Sequence, residues 1–155
     1  MAHTFTSLLV HIIFSMKNRE LLLVPEIRTR LFPYMGGIIR DLKSSALIIN
    51  GVEDHVHILA SVASTISISD FMRETKGVSS GWVNETLGMA GRFGWQTGYA
   101  AFSVSRSHLE DVRKYIATQA EHHRRMTFQQ EYLAFLKRHE IEYDPRFVFE
   151  GEFLG

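Results

Sequence analysis

Cysteine is absent from the 155 residues. That excludes a disulfide framework and any thiolate metal site, and it suits the reducing cytoplasm in which the chain is expected to act. Long apolar runs are absent too. The longest, Ser7 to Phe14, is interrupted by His11 and falls far short of the roughly 20 residues that cross a bilayer, so no membrane span is expected. No basic stretch leading into an apolar block and a cleavage site opens the sequence, so no signal peptide is expected. Net charge is missing as well, with 17 Lys plus Arg against 17 Asp plus Glu. This argues against a protein that grips nucleic acid by charge alone, and leaves room for one that reads a folded strand by shape and stacking. Arg124, Arg125, Lys137 and Arg138 make the late part of the chain locally basic. There is no repeat, low-complexity segment or flexible linker, and the length suits one ordinary domain, so residues 1–155 are read as a single domain.

What is present is a pattern of alternating strands and helices. Residues 4–14 read as a strand with both faces apolar, as in the centre of a sheet. Pro25 suits the first turn of a helix, and Ile27, Leu31, Met35, Ile38 and Leu42 continue it at spacings of three and four, which is one helical stripe. Gly36 and Gly37 weaken that helix, which implies close packing beside them. Residues 46–49 form a short strand, Asn50-Gly51 signals a hairpin turn, and residues 55–62 return. Thr65 or Ser69 caps a second helix running toward Trp82. Residues 93–104 read as one bent strand or two short ones, apolar enough to serve as an edge joining two sheets. Ser107 and Glu110 have the spacing of a capping box before a helix from 108 to about 123. A last helix over 128–139 and a tail follow. The order β-α-β-β-α-β with further helices is the ferredoxin-like split βαβ pattern, an α+β fold with C-terminal additions.

Two groups of residues can carry chemistry. His55 and His57 alternate with Val56 on a strand, so both imidazoles project from one face. Two neutral imidazoles side by side are half of a divalent-metal site, although such a pair is more often a polar surface pair or two satisfied histidines. Tyr115 and Gln119 are four apart on the helix after the capping box and lie beside its apolar stripe of Leu109, Val112, Ile116 and Ala120, where a cleft against the sheet can form. The commoner arrangement for such a tyrosine is a packed ring with a wet hydroxyl.

Taken together, His55-Val56-His57 after Asn50-Gly51, then Tyr115-Ile116-x-x-Gln119-x-x-His122-His123, Phe128-Gln129-x-Glu131-Tyr132 and Glu142-Tyr143-Asp144 resemble the single-tyrosine HUH transposases of small insertion sequences, the REP-associated tyrosine transposases among them. Ser79-Ser80-x-Trp82 and the segment from Trp95-Gln96 through Gly98-Tyr99 to Phe102-Ser103-Val104-Ser105 add to the resemblance, which runs along nearly the whole chain in the family's order. It implies that Tyr115 is the nucleophile, leaving a 5′-phosphotyrosine and a free 3′-hydroxyl. It implies His55, His57 and Gln119 as ligands of a divalent metal, Mg or Mn, and no nucleotide cofactor. It also implies single-stranded DNA with hairpins as substrate, and a homodimer whose active site is shared between chains. Where many relatives carry prolines after the paired histidines, this sequence has Val62-Ala63, so the resemblance leads one to expect different contacts of that loop with DNA.

Other positions are less telling. Arg73, Lys76, Arg92, Arg124 and Arg125 are candidates for DNA binding, and a solvated charged face explains each equally well. His122-His123 either touches phosphate or lines the site, or else complements a helix C-terminus, the last being slightly favoured. Trp82 and Trp95 are more simply core residues than base-stacking platforms. Three readings compete with a transposase: a ferredoxin-like module that holds single-stranded nucleic acid without cutting it, a structural metal protein using the eight histidines, and a domesticated relative acting on repeated genomic hairpins.

Overall fold

A computed structural model describes residues 3–149. Four antiparallel strands, β1 (Leu9–Ser15), β2 (Ser45–Gly51), β3 (His55–Ser61) and β4 (Ala100–Val104), form one sheet in the order β2-β3-β1-β4. Helices α1 (Pro25–Asp41) and α2 (Ile68–Thr86) are the two crossovers, and α3 (Leu109–Ala117), α4 (Gln119–His122) and α5 (Phe128–Arg138) follow β4. This is the ferredoxin-like topology expected, with the sheet covered on both faces.

The two faces follow from side-chain parity. On β1 and β3, Ile12, Phe14, Val56, Ile58 and Ala60 point toward α1 and α2, where they meet Leu31, Met35, Ile39, Phe71, Met72 and Val83 in the larger core. Burying each large side chain in that set contributes about 1.5–3 kcal/mol. The opposite parity, Leu9 and Ile13 on β1 and Leu59 on β3, packs under the C-terminal helices with Ala100, Phe102, Leu109, Ile116, Phe128 and Phe135. His11, His55 and His57 share that second face and are buried there. An uncovered sheet would leave these imidazoles in water. Here α3, α4 and α5 seal them in.

Several local expectations are corrected. The named strand β1 begins at Leu9; residues 3–8 are exposed, and the Leu8 carbonyl accepts from the Val62 N–H at 2.9 Å just past the end of β3. Asn50 lies in the β2–β3 ladder opposite His57, and the connection is made by Val52, Glu53 and Asp54. Gly51 is required for packing, since a Cβ there would press on the carbonyl of His55. Gly36 and Gly37 have nothing close enough to demand glycine. Ser67, rather than Thr65 or Ser69, caps α2 by accepting from the Asp70 N–H. Of residues 93–104 only β4 is a named strand, and Trp95 contributes a single bridge to Met16. No capping box forms at Ser107: the hydroxyl turns to Ser105 and His108, and a short 3-10 turn at 106–108 leads into α3. A true capping box occurs instead at Thr127 and Gln130, opening α5.

Candidate active site

β3 presents His55 and His57 on the face covered by the C-terminal helices, as strand alternation requires. Each has a partner on the ring nitrogen away from the site centre. His55 Nδ1 lies 2.7 Å from Asp54 Oδ1, and His57 Nδ1 lies 2.8 Å from His11 Nε2 on β1. The remaining nitrogen, Nε2, of both rings therefore points the same way, toward α5.

Tyr115 and Gln119 arrive from a helix that breaks between them. Thr118 leaves helical geometry at φ −108°, ψ 30°, so the single helix expected over 108–123 is α3 and α4. Asn50 explains where the break is held: its Nδ2 donates to the Ile116 carbonyl at 2.8 Å and faces that of Ala117 at 3.4 Å. Both are carbonyls of the helix end that lack a partner further along the helix. α3 is thus tied to the strand neighbouring β3, which sets Tyr115 beside His57 with ring centroids 6.0 Å apart. Gln119 is fully buried, and its Oε1 is 3.4 Å from His55 Nε2. All of these residues belong to one chain.

The centre of the site is Glu131 on α5, which the motif reading quoted without giving it a role. One carboxylate oxygen, Oε1, lies 2.9 Å from His57 Nε2, 3.0 Å from His123 Nε2 and 3.3 Å from His55 Nε2. The other, Oε2, accepts the hydroxyl of Tyr115. Glu131 is 1% exposed, and a buried carboxylate persists only when compensated in this way. Burial works against its charge, but hydrogen bonds from His123, His55 and His57 prevail and hold it well below the ordinary carboxylate range. His55 responds in kind: burial opposes its protonation, yet Asp54 and Glu131 raise it to about 9. His57 and His11 go the other way, pushed down by burial to about 4 and about 3. Burial, then the Glu131 carboxylate, pushes the Tyr115 phenol well above its usual value.

Nε2 of His55, His57 and His123 and one oxygen of Glu131 lie within 4.8 Å of one another. Four convergent donors, two of them on imidazoles steadied through their second nitrogen, fit a divalent metal ion. For His123 a helix-end role was slightly favoured over lining the site; the structure places it in the site. His122 stacks on the Tyr115 ring, centroids 4.3 Å apart. Sequence signals for the residues missed did exist. Glu131 interrupts the apolar stripe Phe128, Tyr132, Phe135 of α5, and His11 interrupts the apolar strand β1.

The five basic candidates separate by layer. Arg124 and Arg125 line a groove of about 660 Å³ with Arg19 and Arg28, and it runs past Asp54 to His123. Arg73, Lys76 and Arg92 sit on the α2 side of the sheet. Arg73 pairs with Asp70 at 2.8 Å. The Lys76 ammonium donates to the carbonyls of Gln96, Thr97 and Gly98 at 2.6–3.2 Å. Arg92 reaches the Met89 carbonyl at 3.4 Å. Trp95 is buried and donates to Ser79 Oγ. Trp82 stacks on Tyr34. No helix among the described residues is long and apolar enough to cross a membrane.

Residues 4–119 match the sequence profile of a family described as transposase, IS200 like. A crystal structure of a protein described as a candidate transposase from Deinococcus radiodurans R1 superposes with a TM-score of 0.62 at 22% identity, over 77% of this chain and 95% of that one. A REP-associated tyrosine transposase bound to a REP hairpin superposes with a TM-score of 0.53 at 14% identity, over 75% of this chain and 66% of that one. No match was found among curated proteins.

Proposed function

We propose, from the premise that this chain belongs to the IS200-like transposase family, that it cuts and rejoins single-stranded DNA through a covalent bond to Tyr115. The observation that carries this reading is that the Tyr115 hydroxyl and the buried imidazoles meet on one carboxylate, Glu131. A surface tyrosine with a packed ring has no need of such an arrangement.

In this reading the phenolic oxygen attacks the phosphorus of a phosphodiester. The bond from phosphorus to the 3′ oxygen breaks, the phenol's proton passes to the departing 3′-hydroxyl, and the 5′-phosphate stays on Tyr115. Rejoining is the reverse attack by a 3′-hydroxyl, so no nucleotide cofactor is consumed. Tyrosine is a weak nucleophile near neutral pH, and its surroundings here push its pKa up. His55 and His57 would hold a divalent ion, Mg or Mn, with Gln119 as the third ligand that the resemblance implies. When bound, the ion supplies a Lewis acid at the phosphate oxygens. Glu131 holds the Tyr115 hydroxyl at the site before attack. His122, stacked on the ring, limits its rotation. The reaction belongs in the cytoplasm, where chromosomal DNA is reached.

The groove lined by Arg19, Arg28, Arg124 and Arg125 gives the DNA backbone a path to His123, and its charge suits phosphate. Hairpins are the proposed recognition element, by analogy with the hairpin-bound relative. The residues 1–155 would act as one domain. A homodimer that shares its sites would rebuild between two chains the contacts made here within one. A ferredoxin-like module that only holds single strands is the second reading, and it gives no reason for a carboxylate joining Tyr115 to three imidazoles.

The test uses single-stranded oligonucleotides carrying the hairpins that flank the gene, incubated with Mn(II) or Mg(II). A denaturing gel should show a covalent protein–DNA adduct with the unaltered protein, and none with Tyr115→Phe or with a chelator. Binding without any adduct under either metal would remove the catalytic reading.

A further inference from the structure

We propose that this chain binds its divalent ion through His55, His57, His123 and Glu131, a set of three imidazoles and one carboxylate that selects a first-row transition ion over magnesium. This deepens the metal-assisted reading above, but its argument rests on the donors alone. The three imidazole nitrogens stand 2.9–3.3 Å from one oxygen of Glu131. Two donors on adjacent corners of one ion, each bonded at about 2.1 Å, are separated by about 3.0–3.4 Å. Each imidazole nitrogen thus stands near ligand spacing from that oxygen, and all four donors lie within 4.8 Å of one another, close enough to converge on one ion in place of the hydrogen-bonded protons. Two of the imidazoles are oriented through their second nitrogen, His55 by Asp54 and His57 by His11, as metal-binding histidines are.

The donor chemistry decides the ion. Magnesium prefers oxygen ligands and retains several waters, whereas imidazole suits Mn, Fe, Co and Zn increasingly well. Two fully buried imidazoles, with a third at the edge of the Arg124–Arg125 groove, leave little space for a magnesium hydration shell. Gln119, its oxygen 3.4 Å from His55 Nε2, is placed to be a further, weaker donor. Glu131 then has a second task as a positioning residue: with Oε1 on the ion, Oε2 keeps the Tyr115 hydroxyl beside it. Both added ligands, His123 and Glu131, lie beyond residues 4–119, the part that matches the family profile. The C-terminal helices are therefore part of the metal site as well as its cover.

The experiment titrates the full metal-stripped chain, without DNA, with Mn(II), Zn(II) and Mg(II) by calorimetry, and reads Mn(II) coordination by pulsed electron paramagnetic resonance. Expected are Mn(II) and Zn(II) affinities at least tenfold above that for Mg(II), and nitrogen couplings from imidazole on bound Mn(II). Glu131→Gln and His123→Ala should each weaken Mn(II) at least tenfold, and Gln119→Ala less than either. His123→Ala should also remove one nitrogen coupling. Circular dichroism and a melting curve establish that each variant is folded, and His123→Gln serves if Glu131→Gln is not. Unaltered Mn(II) affinity in the folded Glu131 and His123 variants, or equal affinity for Mg(II), would overturn the proposal. Loss of binding in these variants together with no DNA adduct in the earlier test would leave the metal site standing and remove the transposase reading. An adduct with unchanged metal binding would do the reverse.

Discussion

His11 Nε2 and His57 Nδ1 meet at 2.8 Å across the two central strands, and neither ring is more than 2% exposed. A histidine in the middle of an apolar strand, surrounded by Phe102 and Phe135, is costly as packing alone. Its effect is to fix the His57 ring so that Nε2 faces the site. His11→Leu should therefore lower Mn(II) affinity about tenfold or more, while the melting temperature at neutral pH falls by only a few degrees, because the apolar side chain fills the space but leaves the buried Nδ1 of His57 without its partner. Calorimetry and a melting curve on the same sample measure both. An unchanged affinity would reduce His11 to packing.

Asn50 was readable as half of a turn, yet it sits in the ladder and caps the end of α3. Asn50→Ala frees the Ile116 and Ala117 carbonyls and loosens the segment that carries Tyr115 and Gln119. The expected cost is about 1 kcal/mol of stability, which corresponds to a fall of a few degrees in melting temperature. A larger relative loss, tenfold or more, is expected in the rate of adduct formation, since misplacing a nucleophile is penalised far more than its hydrogen bond is worth. Equal small losses in both would mean that Asn50 does not position Tyr115.

The buried histidines make stability depend on pH in a definite sense. His11 and His57 are held at about 3 and about 4, chiefly by burial, against 6.5 for an ordinary histidine. Below about pH 6.5 the unfolded chain takes up protons at both positions while the folded chain does not, so stability drains as pH falls toward 4. His55 is raised to about 9 because Asp54 and Glu131 outweigh its burial. Its contribution is complete below about pH 6.5 and is lost as pH climbs through 9. The metal-free protein should melt highest near pH 6.5. The decline should be steeper on the acid side, where two groups act, by about 5 °C or more per pH unit. Melting curves in chelator from pH 4.5 to 9.5 measure this. A flat profile, or one still rising at pH 9, would contradict the assigned charge states.

The parts of the fold that follow from local pattern were legible in the chain itself. Two apolar parities on β1 mark a strand covered on both faces, and the α-β order leaves the ferredoxin-like topology as the natural arrangement. His55 and His57 were legible because strand alternation places them together without any tertiary information. Glu131 was not assigned a role because its partners His55 and His57 are more than 70 residues away, and helical spacing speaks only to neighbours three and four apart. Its one visible sign, a carboxylate within an apolar stripe, becomes meaningful once that stripe is known to lie over the two histidines. The break at Thr118 was hidden for a similar reason: it is held by Asn50, across the sheet, while Tyr115 to Ala120 read as continuous helix.

Whether two chains share their sites can be decided without a structure of the dimer. In the single chain Tyr115 reaches Glu131, and Glu131 reaches His55 and His57, the contacts that a site built within one chain would use. In the proposed reaction Tyr115→Phe removes the nucleophile and His57→Ala removes a metal ligand. If each site is built within one chain, a mixture of the two variants stays inactive after any co-refolding, because every chain lacks one part. If Tyr115 acts on the partner's metal, mixed dimers contain one complete site, and about a quarter of the unaltered adduct yield returns at equal mixing. The contacts within this chain predict no recovery. Recovery would show that α3 and the helices after it pass to the partner, and that the Asn50–Ile116 and Glu131–His57 bonds form between chains.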